Sequence, residues 1–225
     1  VNHTAHCLKR QKWGDGNCEC KHDAYPRQLR MNDTHHFGAK LGDLPEEVIE
    51  DLNGRFIEGW TPKQVLDTAY VPRAVKNVVM KLPWGWGGER AHQWLYIRPQ
   101  RVILGQPDRR SGTFWHVDVD AVYRSVAPDW DDFRAMAVSF GGVAETEFIA
   151  TPFDITVEGP PKSADYVNLL PQLEGRAYGT HAPEPGQIAH YTARDFHRAG
   201  EPRKTGWRLV ILAFETNAPP QAKWP

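Results

Sequence analysis

Within TFWHVDVDAV, residues 113–122, His116 and Asp118 stand two positions apart in a run rich in β-branched and aromatic residues. Side chains on an extended strand alternate between faces, so an imidazole and a carboxylate at i and i+2 project to the same side. That supplies two of the three ligands of a facial two-histidine, one-carboxylate site, the set that holds iron(II) and leaves open positions on one side of the ion. The bland reading is a hydrogen-bonded pair on a strand with a polar face. A third imidazole separates the two. Three stand downstream: His181 in GTHAPEPG, His190 in QIAHYTA and His197 in ARDFHRA. His181 reads as a loop residue, His190 as a mid-strand residue, and His197 as closing the turn after the strand that Pro185-Gly186 opens. Beyond them lies Arg208 in GWRLVILAF. A guanidinium on a rigid strand offers a planar fork to a carboxylate. The alternative is a strand arginine whose stem covers apolar surface.

The pair at His116 and Asp118, followed far downstream by a strand ending in FHRA and then GWRLV, resembles the iron(II)- and 2-oxoglutarate-dependent dioxygenases. The likeness covers roughly residues 91–215, in spacing more than in identity. It implies a double-stranded β-helix, a form of jelly roll. It implies His116, Asp118 and His197 as iron ligands, since GQIAHYTARDFHRA looks like the family's strand-turn-His-Arg segment. It implies Arg208 as partner of the distal carboxylate of 2-oxoglutarate. The reaction implied consumes dioxygen and 2-oxoglutarate, releases succinate and CO2, and oxidises a C–H bond of a further substrate, most simply by hydroxylation. The metal carries that chemistry and the protein positions and shields it, so no catalytic residue beyond the ligands is expected. The competing class is a cupin-like jelly-roll binding module without oxygenase activity, which has no use for an arginine beside a facial triad.

Other residues invite separate readings. Cys7, Cys18 and Cys20 with His22, or with His3 or His6, are enough in number for a structural zinc, although C-x10-C-x-C is not a familiar finger spacing. Free thiols in a loop are the simpler expectation. Trp84 and Trp86 in LPWGWGGER could stack a base or sugar of the substrate, or cover the edge of the core. Gly141-Gly142 lacks the Lys-Ser/Thr of a phosphate loop. Glu145 and Glu147 lie off the metal motif, which leaves a zinc-hydrolase reading without an acid/base.

The elements that must position these residues follow from punctuation and period. Residues 1–38 read as a polar Cys/His-rich arm, 39–90 as a helical N-terminal region, 91–217 as the catalytic core and 218–225 as a tail. Residues 43–54 predict a helix capped by Asp43 and stopped at Gly54; Thr61-Pro62 starts another, and a further helix follows a break at Pro72. From residue 91, short β-like runs are bounded by Gly, Pro and Asp, with a short helix or loop at 163–173. The expected class is a β-rich α+β fold, a jelly roll with N-terminal helices packed on it.

Bulk composition sets the outer bounds. The 225 residues suit one domain with a sizeable core, and 40% apolar with 24% charged residues fits a globular protein. A net charge of −1 excludes a strongly basic nucleic-acid binder, so a small molecule or peptide substrate is favoured over nucleic acid. No apolar run approaches the ~20 residues of a membrane span. The polar VNHTAHCLKR predicts no secretory leader, and three cysteines crowded at one end fit a reducing cytoplasm.

Overall fold

The computed structural model describes residues 26–106, 115–118, 130–158 and 172–217. Its framework is an antiparallel six-stranded sheet of β2 (His36–Lys40), β9 (Gln187–Thr192), β5 (Arg134–Phe140), β11 (Gly206–Thr216), β4 (His92–Val102) and β3 (Ile57–Trp60), in that spatial order. The two long central strands, β4 and β11, pair from Gly206↔Val102 to Thr216↔His92. Two smaller antiparallel sheets accompany it. One joins β1 (Arg27–Met31) to β7 (Phe153–Val157); the other has the order β10 (His197–Ala199), β6 (Thr146–Ile149), β8 (Thr180–His181).

Period-two alternation gives the large sheet two apolar faces. Leu95 and Ile97 of β4, Val138 and Phe140 of β5, and Leu209, Ile211 and Ala213 of β11 form one core. It is closed by helices α1 (Glu46–Asp51), α2 (Pro62–Asp67) and α3 (Arg73–Lys81), through residues such as Ile49, Val65 and Val79. The intervening residues Trp94, Tyr96, Ala135, Ala137 and Phe214 point the other way, into a second core with Phe148, Phe153 and Ile155 of the smaller sheets. The chain is therefore a β-rich, three-layer arrangement, with helices on one side of the main sheet and the small sheets on the other.

Local chemistry explains the helix starts, with one correction. Thr61 caps α2 in a reciprocal capping box with Gln64, and Pro62 follows at the first helical position. Asp43 does not cap α1: its N-cap is Pro45, with no side-chain cap hydrogen bond. Strands extend beyond the region read as the β core. Parts of the polar arm and of the helical region are β1, β2 and β3, and two of these form the edges of the main sheet. Around His116 only residues 115–118 are described, and there the expected strand is an isolated antiparallel bridge to His197. Cys7, Cys18, Cys20 and His22, and most of the 163–173 segment, lie outside the described residues.

Gly141-Gly142 serves the backbone and no phosphate. Gly141 has φ 93°, and a Cβ there would sit 2.1 Å from the Trp207 carbonyl oxygen. Only glycine allows β5 to turn this closely over β11, next to Arg208.

Candidate metal centre

His116, Asp118 and His197 converge. One ligand atom from each lies within 4.8 Å of the others. The backbone draws them together: His116 N–H donates to the His197 carbonyl and His197 N–H to the His116 carbonyl, both at 2.9 Å. The rings follow at 4.4 Å between centroids. Asp118 reaches across with Oδ1 3.8 Å from His116 Nε2 and Oδ2 3.3 Å from His197 Nε2.

Neighbouring groups orient the set. His197 Nδ1 lies 3.1 Å from the Asp195 carbonyl oxygen, which takes its proton and turns Nε2 toward Asp118. Tyr191 donates its hydroxyl proton to Asp118 Oδ2 at 2.7 Å. Burial opposes charge on Asp118, but the His197 imidazole and its hydrogen bond, then His116 and Tyr191, outweigh it and hold the carboxyl well below the usual carboxylate range. Burial likewise disfavours a proton on His197; the Asp118 charge and hydrogen bond, with the Asp195 carbonyl, reverse this and raise its pKa. Burial, reinforced by the Asp118 carboxylate, keeps the Tyr191 phenol protonated and so a donor. An ionised carboxylate between two imidazoles whose outer nitrogens face inward is a donor set suited to a divalent cation.

The triad opens into a cavity of about 210 Å³ whose floor includes Gln100 of β4 and Arg208 of β11. These two are cross-strand partners, on the same face as Trp94 and Phe214. Arg208 is 2% exposed, with Nη2 3.5 Å from Ser139 Oγ. Its charge also acts on Glu145, a buried carboxyl whose oxygens have no hydrogen-bond partner among the described residues and whose pKa burial pushes up. Arg198, next to His197 in the chain, pairs with Glu147 at 2.8 Å and lies over the Trp115 ring at 4.5 Å. An adjoining cavity of about 430 Å³ shares Arg198 and Arg208 and extends past Leu104 and Pro202.

The structure thus brings His116, Asp118, His197 and Arg208 to one cavity. It separates the other candidates from it. His190 alternates with the inward Ala189 and Tyr191, so its ring turns to the helix side, stacked on His36 at 4.6 Å and edge-on to Trp86 at 4.9 Å. His181 is exposed on β8. Trp84 and Trp86 pack against the core under the helices, across the main sheet from the triad. The residues that sequence reasoning missed are Tyr191 and Asp195. Asp195 offered no side-chain signal, because it acts on His197 through its backbone carbonyl. Tyr191 offered none, because its partner is distant in sequence.

No family model matches the chain, and no match was found among curated proteins. Solved structures do align with it. AviO1 from Streptomyces viridochromogenes Tue57 is 11% identical, over 85% of this chain and 93% of that one, with a TM-score of 0.47. EvdMO1 is 12% identical over 64% of this chain and 33% of that one, with a TM-score of 0.36. An oxidoreductase of the 2OG-Fe(II) oxygenase family from Burkholderia pseudomallei is 11% identical over 83% of this chain and 97% of that one, with a TM-score of 0.29. At these scores the likenesses carry no functional argument. Among the described residues, no helix is long and apolar enough to cross a membrane.

Proposed function

We propose that the protein is a non-haem iron(II), 2-oxoglutarate-dependent oxygenase built on a double-stranded β-helix, with the small sheets facing the six-stranded one. The observation that carries the reading is the shared cavity: two imidazoles and one carboxylate converge at one end and a buried arginine lies in the same space. His116, Asp118 and His197 would hold the iron, and Arg208 would receive the distal carboxylate of 2-oxoglutarate. Bound there, iron and 2-oxoglutarate supply an oxidant for a C–H bond, with release of succinate and CO2.

The chain's own residues do the rest. Tyr191 and the Asp195 carbonyl set the orientation of two ligands. Arg208 is a nearly buried fork, so a carboxylate paired with it gains more than at the surface. Burial pushes the Glu145 carboxyl up and the Arg208 charge beside it pulls it down. The 430 Å³ cavity is of the size that takes a small molecule or a peptide side chain. A net charge of −1 lacks the strongly basic balance that favours a phosphate backbone.

Anaerobic addition of iron(II) and then 2-oxoglutarate tests this directly. The expected result is a weak visible absorption band, abolished in His197→Ala. A screen for succinate release across small molecules, peptides and nucleosides then identifies the substrate class. Metal binding at the triad with neither the band nor any 2-oxoglutarate turnover would refute the oxygenase reading in favour of a cupin-like binding module.

A further inference from the structure

Across the ring of Phe148 from the triad lies a second convergence of imidazoles. The His35 side chain is 4% exposed, and its Nδ1 lies 3.0 Å from Oδ1 of the fully buried Asp195. Asp195 is an anion built in place: it accepts from Thr192 N at 2.8 Å, Thr192 Oγ1 at 3.1 Å, His35 N at 3.2 Å and the Thr34 hydroxyl. That carboxylate takes the Nδ1 proton of His35 and leaves the Nε2 lone pair pointing outward. Nε2 of His35 faces Nε2 of His181 in direct contact. Two ring nitrogens placed head to head are joined by a hydrogen bond where His181 carries its proton on Nε2, or by a metal ion where both present lone pairs. Burial and the neighbouring His35 both reduce the proton affinity of His181. A carboxylate–imidazole–metal chain is the usual way a protein fixes a metal-binding histidine.

We propose that His35 and His181 form an auxiliary site for a divalent transition-metal ion of the zinc, nickel and copper class, each ligating through Nε2, with Asp195 as the outer carboxylate and water completing the coordination. Imidazole donors favour these ions over calcium or magnesium. The walls are aromatic: Phe148 stacks on His35 at 5.2 Å, and Phe37 lies 4.9 Å from His181. His181 sits exposed on a two-residue strand, so the contact can open to admit an ion. The ion would pin β8 to the segment that enters β2. Because the same Asp195 carbonyl orients His197, this staple would brace the first centre.

The test is a nickel(II) titration of the metal-free full chain by equilibrium dialysis, with calorimetry alongside. His181→Ala should bind one equivalent fewer than the unaltered protein. It should melt at the same temperature without metal and gain less from added nickel. His116→Ala should lose a different equivalent, and the two losses should add in the double variant. If His181→Ala binds as many equivalents as the unaltered protein, the histidines share a proton and the proposal is overturned. Loss of an equivalent in His181→Ala with none in His116→Ala would instead refute the triad and leave this site standing.

Discussion

The hydroxyl of Tyr191 gives the cleanest perturbation of the candidate centre. The ring is fully buried between Phe148 and His197, at 5.5 and 4.8 Å between centroids. Tyr191→Phe keeps that packing and deletes one oxygen. What is lost is a 2.7 Å hydrogen bond to Asp118 Oδ2, the same oxygen that lies 3.3 Å from His197 Nε2. A hydrogen bond to a charged group contributes about 1.5–3 kcal/mol, which corresponds to about 10- to 100-fold in an equilibrium constant. Loss of groups that orient metal ligands falls in the same range. Iron(II) or manganese(II) affinity, measured anaerobically by calorimetry, should therefore weaken by that factor. The thermal midpoint without metal controls for folding, and the apparent 2-oxoglutarate constant at saturating metal should change little. Unchanged or tighter metal binding in a natively folded Tyr191→Phe protein would refute the claim that this hydroxyl holds the carboxylate in its ligating pose.

Removing one ligand of three is more severe: His197→Ala should abolish measurable iron binding, whereas His190→Ala, on the opposite face of the sheet, should leave it intact, as a calorimetric comparison will show. On the proposed function, Arg208→Ala removes the partner of the cosubstrate's distal carboxylate, at a cost of about 2–5 kcal/mol; the apparent 2-oxoglutarate constant should rise at least tenfold while metal affinity holds, and an unchanged constant would remove Arg208 from this role. His190 also predicts a pH dependence of stability. Burial, then the adjacent His36, lower its pKa from 6.5 to about 4. The unfolded chain therefore binds a proton that the folded one does not over this window, and stability falls as pH drops from about 6.5 toward 4, by about 3 kcal/mol. Denaturant melts should show that loss, and His190→Gln should lack its share.

The sequence by itself determined much of what depends on neighbours a few residues apart, although not the cap of α1. Alternation places His116 with Asp118 and sorts β4 and β11 into a helix-side set, Leu95 with Ile97, and an inner set, Trp94 with Tyr96. The same rule puts Arg208 inward, in register with Phe214. Thr61 and Pro62 are adjacent, and the start of α2 was legible for that reason; the partner Gln64 is added by the structure. Tertiary structure alone decided what lies across from what. The bridge that brings His197 against His116 joins segments far apart in the chain, and no local period encodes such a pairing. Tyr191 and His190 are adjacent and look equally plausible at a site; the register of β9 against β5 sends one to Asp118 and the other to Trp86. A one-residue slip would exchange them. The edge strands β1 and β2 carry exposed polar residues at several of their five positions, so their hydrophobic signal is faint. They become strands because β7 and β9 present unpaired backbone groups, and a sheet edge offers hydrogen bonds whatever side chains its partner carries.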